Sequence, residues 1–305
     1  MAKYGGRLRW LGAAALLALA LWTANGFLSS RYALTAERWE VPLPRLTAPV
    51  RAAVLSDLHD TEFGEGGRTL AERVAAEEPD LIFLLGDMLN AASPDSRRLT
   101  ALVTRLSEIA PVYFAWGNHE LDYLAAGTSP LQPELEAAGA TVLELDYADI
   151  TVNGAALRLG GLYEYAFAMD DYNTCDPARM DPAVYGFLTK FQATDRCRVL
   201  LSHRPDTMIF GEAAATWGVE LAVSGHLHGG QAVLPVLGGV YGGDQGLFPA
   251  YVHGLYQKEQ VRLAITSGLG SEPGRPRFRN PPEIMILDLL PQSGQTEGGT
   301  GLGAS

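Results

Sequence analysis

Three times between residues 52 and 120, a short apolar run stops at a side chain that can bind a metal ion, and this repetition constrains the fold more than any other feature. The runs are Ala52-Ala53-Val54-Leu55-Ser56 before Asp57-Leu58-His59, Leu81 to Leu85 before Gly86-Asp87, and Val112 to Trp116 before Gly117-Asn118-His119-Glu120. Five consecutive large apolar residues in Leu81–Leu85 predict a strand buried on both faces, as in a parallel sheet, and are too few for a free-standing helix. Helical spacing fills the gaps: a helix is expected over Thr69–Glu78 and another over Ser96–Ile109, where Leu99, Leu102, Val103 and Leu106 share a face. Alternating strands and helices predict an α/β fold with a parallel sheet. All three metal-competent ends then gather at the carboxyl edge of that sheet, where ligands of open α/β sheets bind.

Further along, strand-like runs near Thr141–Leu145, Ile150–Val152 and Ala156–Leu162 predict a second, more antiparallel sheet. The stretch from Tyr163 to Lys190, rich in Tyr, Asp, Met and Pro, reads as an inserted loop with short helices. Two more strands then end in imidazoles. Arg198–Ser202 runs into His203, and Glu220–Ser224 runs into Gly225-His226-Leu227-His228-Gly229-Gly230. Strands near Val261–Thr266 and Glu283–Leu289 close the fold, and the Gly/Ser/Thr-rich residues 291–305 are expected to be disordered.

Of the six histidines in the chain, five (His59, His119, His203, His226 and His228) stand at the ends of these strands, while His253 falls outside the pattern and reads as structural. One histidine at a strand end is usually an ordinary polar residue. Five, joined by Asp57, Asp87 and Asn118, exceed what a single tetrahedral ion needs and suit two ions sharing a carboxylate. Imidazole and carboxylate ligands without thiolate point to Mn, Fe or Zn rather than Ca.

The ordered set Asp57-x-His59, Gly86-Asp87, Gly117-Asn118-His119-Glu120, His203 and Gly225-His226-x-His228 resembles the calcineurin-like metallophosphoesterases over about residues 50–290. With Gly229-Gly230-Gln231 following and an apolar segment in front, it is most similar to their membrane-associated bacterial branch. The resemblance implies a sandwich of two mixed β-sheets flanked by helices, and two divalent metal ions as cofactors. It implies that Asp57, His59, Asp87 and His228 hold one ion and that Asp87, Asn118, His203 and His226 hold the other. A hydroxide bridging the two would attack a phosphodiester or pyrophosphate, with protonated His119 as acid to the leaving group and Glu120 orienting His119. Two departures concern the substrate: Asn90 stands where relatives often have an acidic residue, and Gly161-Leu162-Tyr163-Glu164 replaces a Gly-x-x-Asp turn. Arg277 and Arg279, with Arg275 before them, are candidates for a phosphate or anionic-lipid contact, or a solvated surface loop.

Between Arg9 and Arg31 lie 21 uncharged residues, enough as a helix to span roughly 30 Å. A cleavable signal peptide has the same general look, with Ala24-Asn25-Gly26 as its cleavage site; Trp10 and Trp22 at the ends favour a retained anchor. The expected organisation is an anchor over 1–30, a Pro-containing linker over 31–49, the catalytic domain over 50–290 and a tail over 291–305. Lys3, Arg7 and Arg9 precede the span and place the domain outside the cytoplasm of a bacterial cell membrane. Net charge is -12, and because the first thirty residues hold three basic and no acidic groups, the rest carries 20 basic against 35 acidic groups, a poor match to nucleic acid. Expected partners are the membrane and a phosphoester that is a small molecule, a nucleotide-sugar or a lipid. A UDP-2,3-diacylglucosamine pyrophosphatase and a catalytically silent scaffold are the rival readings. Cys175 and Cys197 can be two free thiols or one disulfide.

Overall fold

The computed structural model describes residues 2–163 and 174–292. Glu164 and most of the Tyr-rich insertion's first half fall outside these residues, as does all but the start of the expected disordered tail.

The chain begins with helix α1 (Ala2–Tyr32) and continues through β1 (Thr35–Leu43), β2 (Val50–Leu55), α2 (Arg68–Ala75), β3 (Leu81–Leu84), α3 (Arg97–Ser107) and β4 (Val112–Ala115). Next come α4 (Asn118–Ala125), α5 (Leu131–Ala137), β5 (Ala140–Leu143), β6 (Asp146–Val152), β7 (Ala155–Gly161), α6 (Pro182–Gln192) and β8 (Cys197–Leu201). Two four-residue helices separate β8 from β9 (Leu221–Ser224). A short hairpin, β10 (Val233–Leu234) and β11 (Gly238–Gly239), precedes β12 (Gly254–Lys258), β13 (Val261–Ile265) and β14 (Glu283–Pro291).

The strands form two six-stranded mixed sheets, ordered β1-β14-β2-β3-β4-β5 and β12-β13-β9-β8-β7-β6. Inward-facing Val54, Phe83, Leu85 and Met285 from the first meet Leu159, Val199, Leu221 and Ala264 from the second to make the central core. The first sheet's outer face is covered by α2, α3 and α5, and α3 buries Leu99, Leu102, Val103 and Leu106, the stripe read from the sequence. Each such leucine contributes about 1.5–3 kcal/mol of burial. Helix α6 covers the second sheet through Val184, Phe187, Leu188 and Phe191. This is the expected α/β fold of two mixed sheets flanked by helices.

Two expectations change. About half of the stretch assigned to a linker over 31–49 is β1, which pairs in parallel with β14 from Thr35↔Glu283 to Leu43↔Pro291 and buries Val41 and Leu43. Its proline, Pro42, is tolerated because β1 is an edge strand, free on one side. The second sheet is also less antiparallel than expected: β13, β9, β8 and β7 run parallel, and only its outermost strands β12 and β6 reverse. Both cysteines are free thiols.

Candidate metal centre

The parallel strands of both sheets deliver their loops to one edge. Asp57 and His59 follow β2, Asp87 follows β3, Asn118 and His119 open α4 after β4, His203 follows β8, and His226 and His228 follow β9. The loops are cross-braced by backbone bonds: Asp57 N–H donates to Gly86 O (3.0 Å), His59 N–H to Asp87 O (3.0 Å) and Gly225 N–H to His203 O (3.0 Å). This packing leaves no room for side chains at the motif glycines. A Cβ on Gly86, whose φ is +80°, would lie 2.2 Å from Gly117 N, and one on Gly225 would lie 2.0 Å from Ser56 Oγ.

Asp57 (φ 54°), His59 (48°), Asp87 (51°), His226 (69°) and His228 (46°) all hold left-handed backbone, which non-glycine residues adopt at a cost but Asp and His tolerate better than most. Such concentration of unfavourable backbone is typical of functional sites.

The side chains converge in two groups, Asp57 with His59 and His228, and Asp87 with His203 and His226; within each, one candidate ligand atom per residue lies within 4.8 Å of the others. Asp87 links the groups. Its Oδ2 lies 3.2 Å from His203 Nε2 and 3.9 Å from both His59 Nε2 and His119 Nε2, while Oδ1 accepts His119 N–H at 2.9 Å. Asp57 accepts His226 N–H at 3.0 Å and faces His228 Nε2 at 3.6 Å.

Ring partners separate ligand-competent histidines from the other kind. His59 Nδ1 donates to Asn90 Oδ1 (3.2 Å) and His203 Nδ1 donates to Leu85 O (2.6 Å), which aims each Nε2 into the centre, the usual orientation of a metal-binding histidine. His119 is reversed. Its Nδ1 accepts Ala91 N–H at 3.1 Å, so in the neutral ring the hydrogen sits on Nε2, which then has no lone pair for a metal. With Nδ1 occupied in this way, His119 presents its Nε2 toward Asp87 as a hydrogen-bond donor.

Burial and neighbouring charge set the electrostatics of the cluster. Burial alone would raise Asp87, but the neighbouring His203 outweighs it and the carboxyl is strongly lowered. Burial alone would lower His203, but Asp87 lifts it to about 9. Burial keeps His59 low and, with Arg277 nearby, takes His228 down to about 3, so these rings are neutral and available as ligands. His59 Nε2 and Asn118 Oδ1 are buried without a hydrogen-bond partner. Orphaned acceptors beside two buried carboxylates are what a pair of divalent cations would satisfy, so the residues present fit such ions.

Glu120 does not touch His119 as expected. It is fully buried, and its Oε2 accepts the N–H groups of Asp87 (2.7 Å) and Gly117 (2.9 Å) while Oε1 accepts those of Met88 (2.8 Å) and Leu89 (3.3 Å). It therefore shapes the turn that carries Asp87. Of the two arginines expected at a phosphate or lipid contact, Arg277 lines a cavity beside His59. Arg277 is buried, with its Nη atoms donating to Gly268 O, Gly270 O, Asn280 Oδ1 and Pro281 O, and Arg279 stacks on Trp22 of α1 at 4.9 Å. His253 lies apart from the centre, 3.0 Å from Glu283 and 3.7 Å from Glu37. Glu272, unmarked in the sequence reading, comes within 4.8 Å of ligand atoms of His59 and His119. Its signal was its place after β13, whose carboxyl end reaches the same edge. A cavity of about 620 Å³ opens beside His59 and is walled on its far side by Phe27, Ser30, Arg31 and Tyr32 of α1.

A two-sheet α/β sandwich that gathers carboxylates and imidazoles at one edge defines a metal-dependent hydrolase. The comparisons name the kind: residues 50–230 match the calcineurin-like phosphoesterase family, and the chain belongs to it. It is a phosphoesterase, of a family that binds divalent metals. It is similar to the uncharacterized metallophosphoesterase YkuE of Bacillus subtilis, 27% identical over 242 residues and covering 77% of each chain. It is also similar to the phosphodiesterase YaeI of Escherichia coli, 27% identical over 247 residues and covering 80% of this chain and 83% of that one. Among solved structures, a dimetal phosphatase from Danio rerio aligns with a TM-score of 0.42 at 12% identity, over 73% of this chain and 88% of that one.

Proposed function

We propose that the chain is a dinuclear phosphoesterase of the family's membrane-associated bacterial branch, held at the cytoplasmic membrane by α1, with its body, from Thr35 onward, outside the cytoplasm. Asp57, His59, Asp87 and His228 hold one divalent ion, and Asp87, Asn118, His203 and His226 hold the other. The observation that carries this reading is Asp87 Oδ2, which faces His203 Nε2 at 3.2 Å and His59 Nε2 at 3.9 Å and so belongs to both groups.

Two bound divalent ions supply positive charge for a phosphate group and make water acidic enough to act as a nucleophile near neutral pH. The chain's own residues do the rest. Asn90 and Leu85 O fix the rings of His59 and His203, Glu120 sets the Asp87 turn, and His119 offers its Nε2 hydrogen to the departing oxygen. The bond cleaved is a phosphodiester or pyrophosphate, in a lipid-linked or nucleotide-sugar substrate. Lys3, Arg7 and Arg9 ahead of the span support the sidedness by the positive-inside rule.

Elemental analysis of the purified full-length chain tests this, together with hydrolysis of a chromogenic diester with and without added Mn. About two metals per chain and metal-dependent turnover are expected. Metal content well below that, not restored by Mn, would overturn the ligand assignment.

A further inference from the structure

Helix α1 does not simply lead away from the body; its last third is docked on it. The Trp22 and Phe27 rings lie 5.2 and 5.1 Å from that of Phe278. Arg279 N–H donates to Gly26 O (3.0 Å) and Asn280 N–H to Ser30 Oγ (2.9 Å). Gly26 permits the approach, since a Cβ there would come 2.4 Å from the Phe278 ring. Among the described residues, the apolar stretch from Trp10 to Leu21 stands clear of the body, and its 12 residues reach about 18 Å at 1.5 Å each. A bilayer core of roughly 30 Å needs about eight residues more. Those are the docked ones, so a helix that spans brings the body surface around Phe278 to the hydrocarbon boundary.

That surface is continuous with an apolar loop. Phe278 N–H donates to Gln231 O (3.2 Å) and Val233 N–H to Phe278 O (2.9 Å). From Val233 the chain enters the β10–β11 hairpin and the loop after it, which expose Val236, Leu237, Tyr241, Leu247 and Phe248. Val236 is fully solvent-facing at 105% and holds φ 72°, a conformation unfavourable for a β-branched residue. Strained backbone that presents large apolar groups to water has an account if those groups enter lipid.

We propose that residues 235–248 form a second membrane-seating surface beside α1, which holds the cavity next to His59 at the level of the lipid headgroups. The substrate class that follows is a membrane amphiphile, its phosphoester in that cavity and its apolar chain in the bilayer. This rests on the reading of α1 as a retained span.

The test uses the full-length chain in phosphatidylcholine/phosphatidylglycerol nanodiscs, in a Cys175→Ser, Cys197→Ala background. An environment-sensitive fluorophore is placed on a cysteine at Val236, at Leu17 in α1, or at Asn153 on the opposite edge, and quenched with acyl-chain nitroxide lipids. Quenching at 236 and 17 but not at 153 is expected. Quenching at 17 alone overturns the proposal and leaves the anchored enzyme intact; quenching at neither overturns the retained span as well. The combined change Val236→Ser, Leu237→Ser, Leu247→Ser, Phe248→Ser should leave kcat/KM for a soluble chromogenic diester unchanged. It should lower kcat/KM about tenfold for a diester carrying a long alkyl chain in the same discs, because membrane seating scales with buried apolar area. An equal effect, or none, on both substrates would overturn the assigned substrate class.

Discussion

Glu120→Gln isolates the role of a fully buried carboxylate at the site. The side chain keeps its shape, but one oxygen becomes an NH₂ group that faces backbone donors. If Oε2 is replaced, the N–H groups of Asp87 and Gly117 lose their acceptor; if Oε1, those of Met88 and Leu89. Either way two buried donors are orphaned, at about 1–3 kcal/mol each, and partial relaxation of the turn brings the expected total to about 2–4 kcal/mol. At roughly 2–4 °C per kcal/mol for a domain of this size, the melting temperature falls by about 4–16 °C. Metal content should fall too, because the displaced turn carries Asp87. Differential scanning calorimetry and elemental analysis on the full-length chain measure both. A variant with unchanged melting temperature and metal content, but slower on poor leaving groups alone, would mean that Glu120 acts on His119 and would refute this account.

Other changes read different parts of the site. His119→Ala should keep both metals and lose about 10²–10³ in kcat on diesters with poor leaving groups, with a smaller loss on nitrophenyl esters, as for removal of one transition-state donor. Asp87→Ala should strip metal from both positions in elemental analysis, whereas His228→Ala should leave about one ion per chain, since only Asp87 joins the two groups. Gly26→Leu forces a side chain into the Phe278 ring and should lower the melting temperature by the equivalent of about 1–3 kcal/mol of overpacking, while Leu28→Ala on the exposed face changes it little. Burial pushes the Cys197 thiol up to about 12, so mass spectrometry at pH 8 should find it alkylated only after unfolding.

The cluster was legible because each candidate ligand closes an apolar run, and such runs in alternation leave one topology in which their ends meet. Strands β2, β3, β4, β8 and β9 were readable for that reason. Strand β1 was not, because an edge strand with one proline and three charged residues carries no continuous apolar signal. The reversed ring of His119 and three of the four N–H groups that Glu120 accepts depend on the 87–91 turn, about 30 residues away; only the bond from Gly117 N–H is local. The burial of Arg277 was not legible, because a basic cluster near prolines reads as surface, whereas its Nη atoms donate to oxygens of the 268–281 loop.

The same reasoning explains why the ligands sit where their backbone is least comfortable. A strand that ends at a metal must turn its next residue inward at once, and the left-handed region does so within a single residue. At about 1 kcal/mol per residue, the five strained candidate ligands cost roughly 5 kcal/mol, a sum comparable to a whole domain's net stability. Bonds within the protein offset that cost: Asp57 with Gly86 and His226, His59 with Asp87, and Glu120 with the Asp87 turn. These bonds join loops of both sheets, so the sandwich itself braces this geometry. The centre is therefore preorganised, and substitutions that loosen the loops should weaken metal binding even where every ligand is retained.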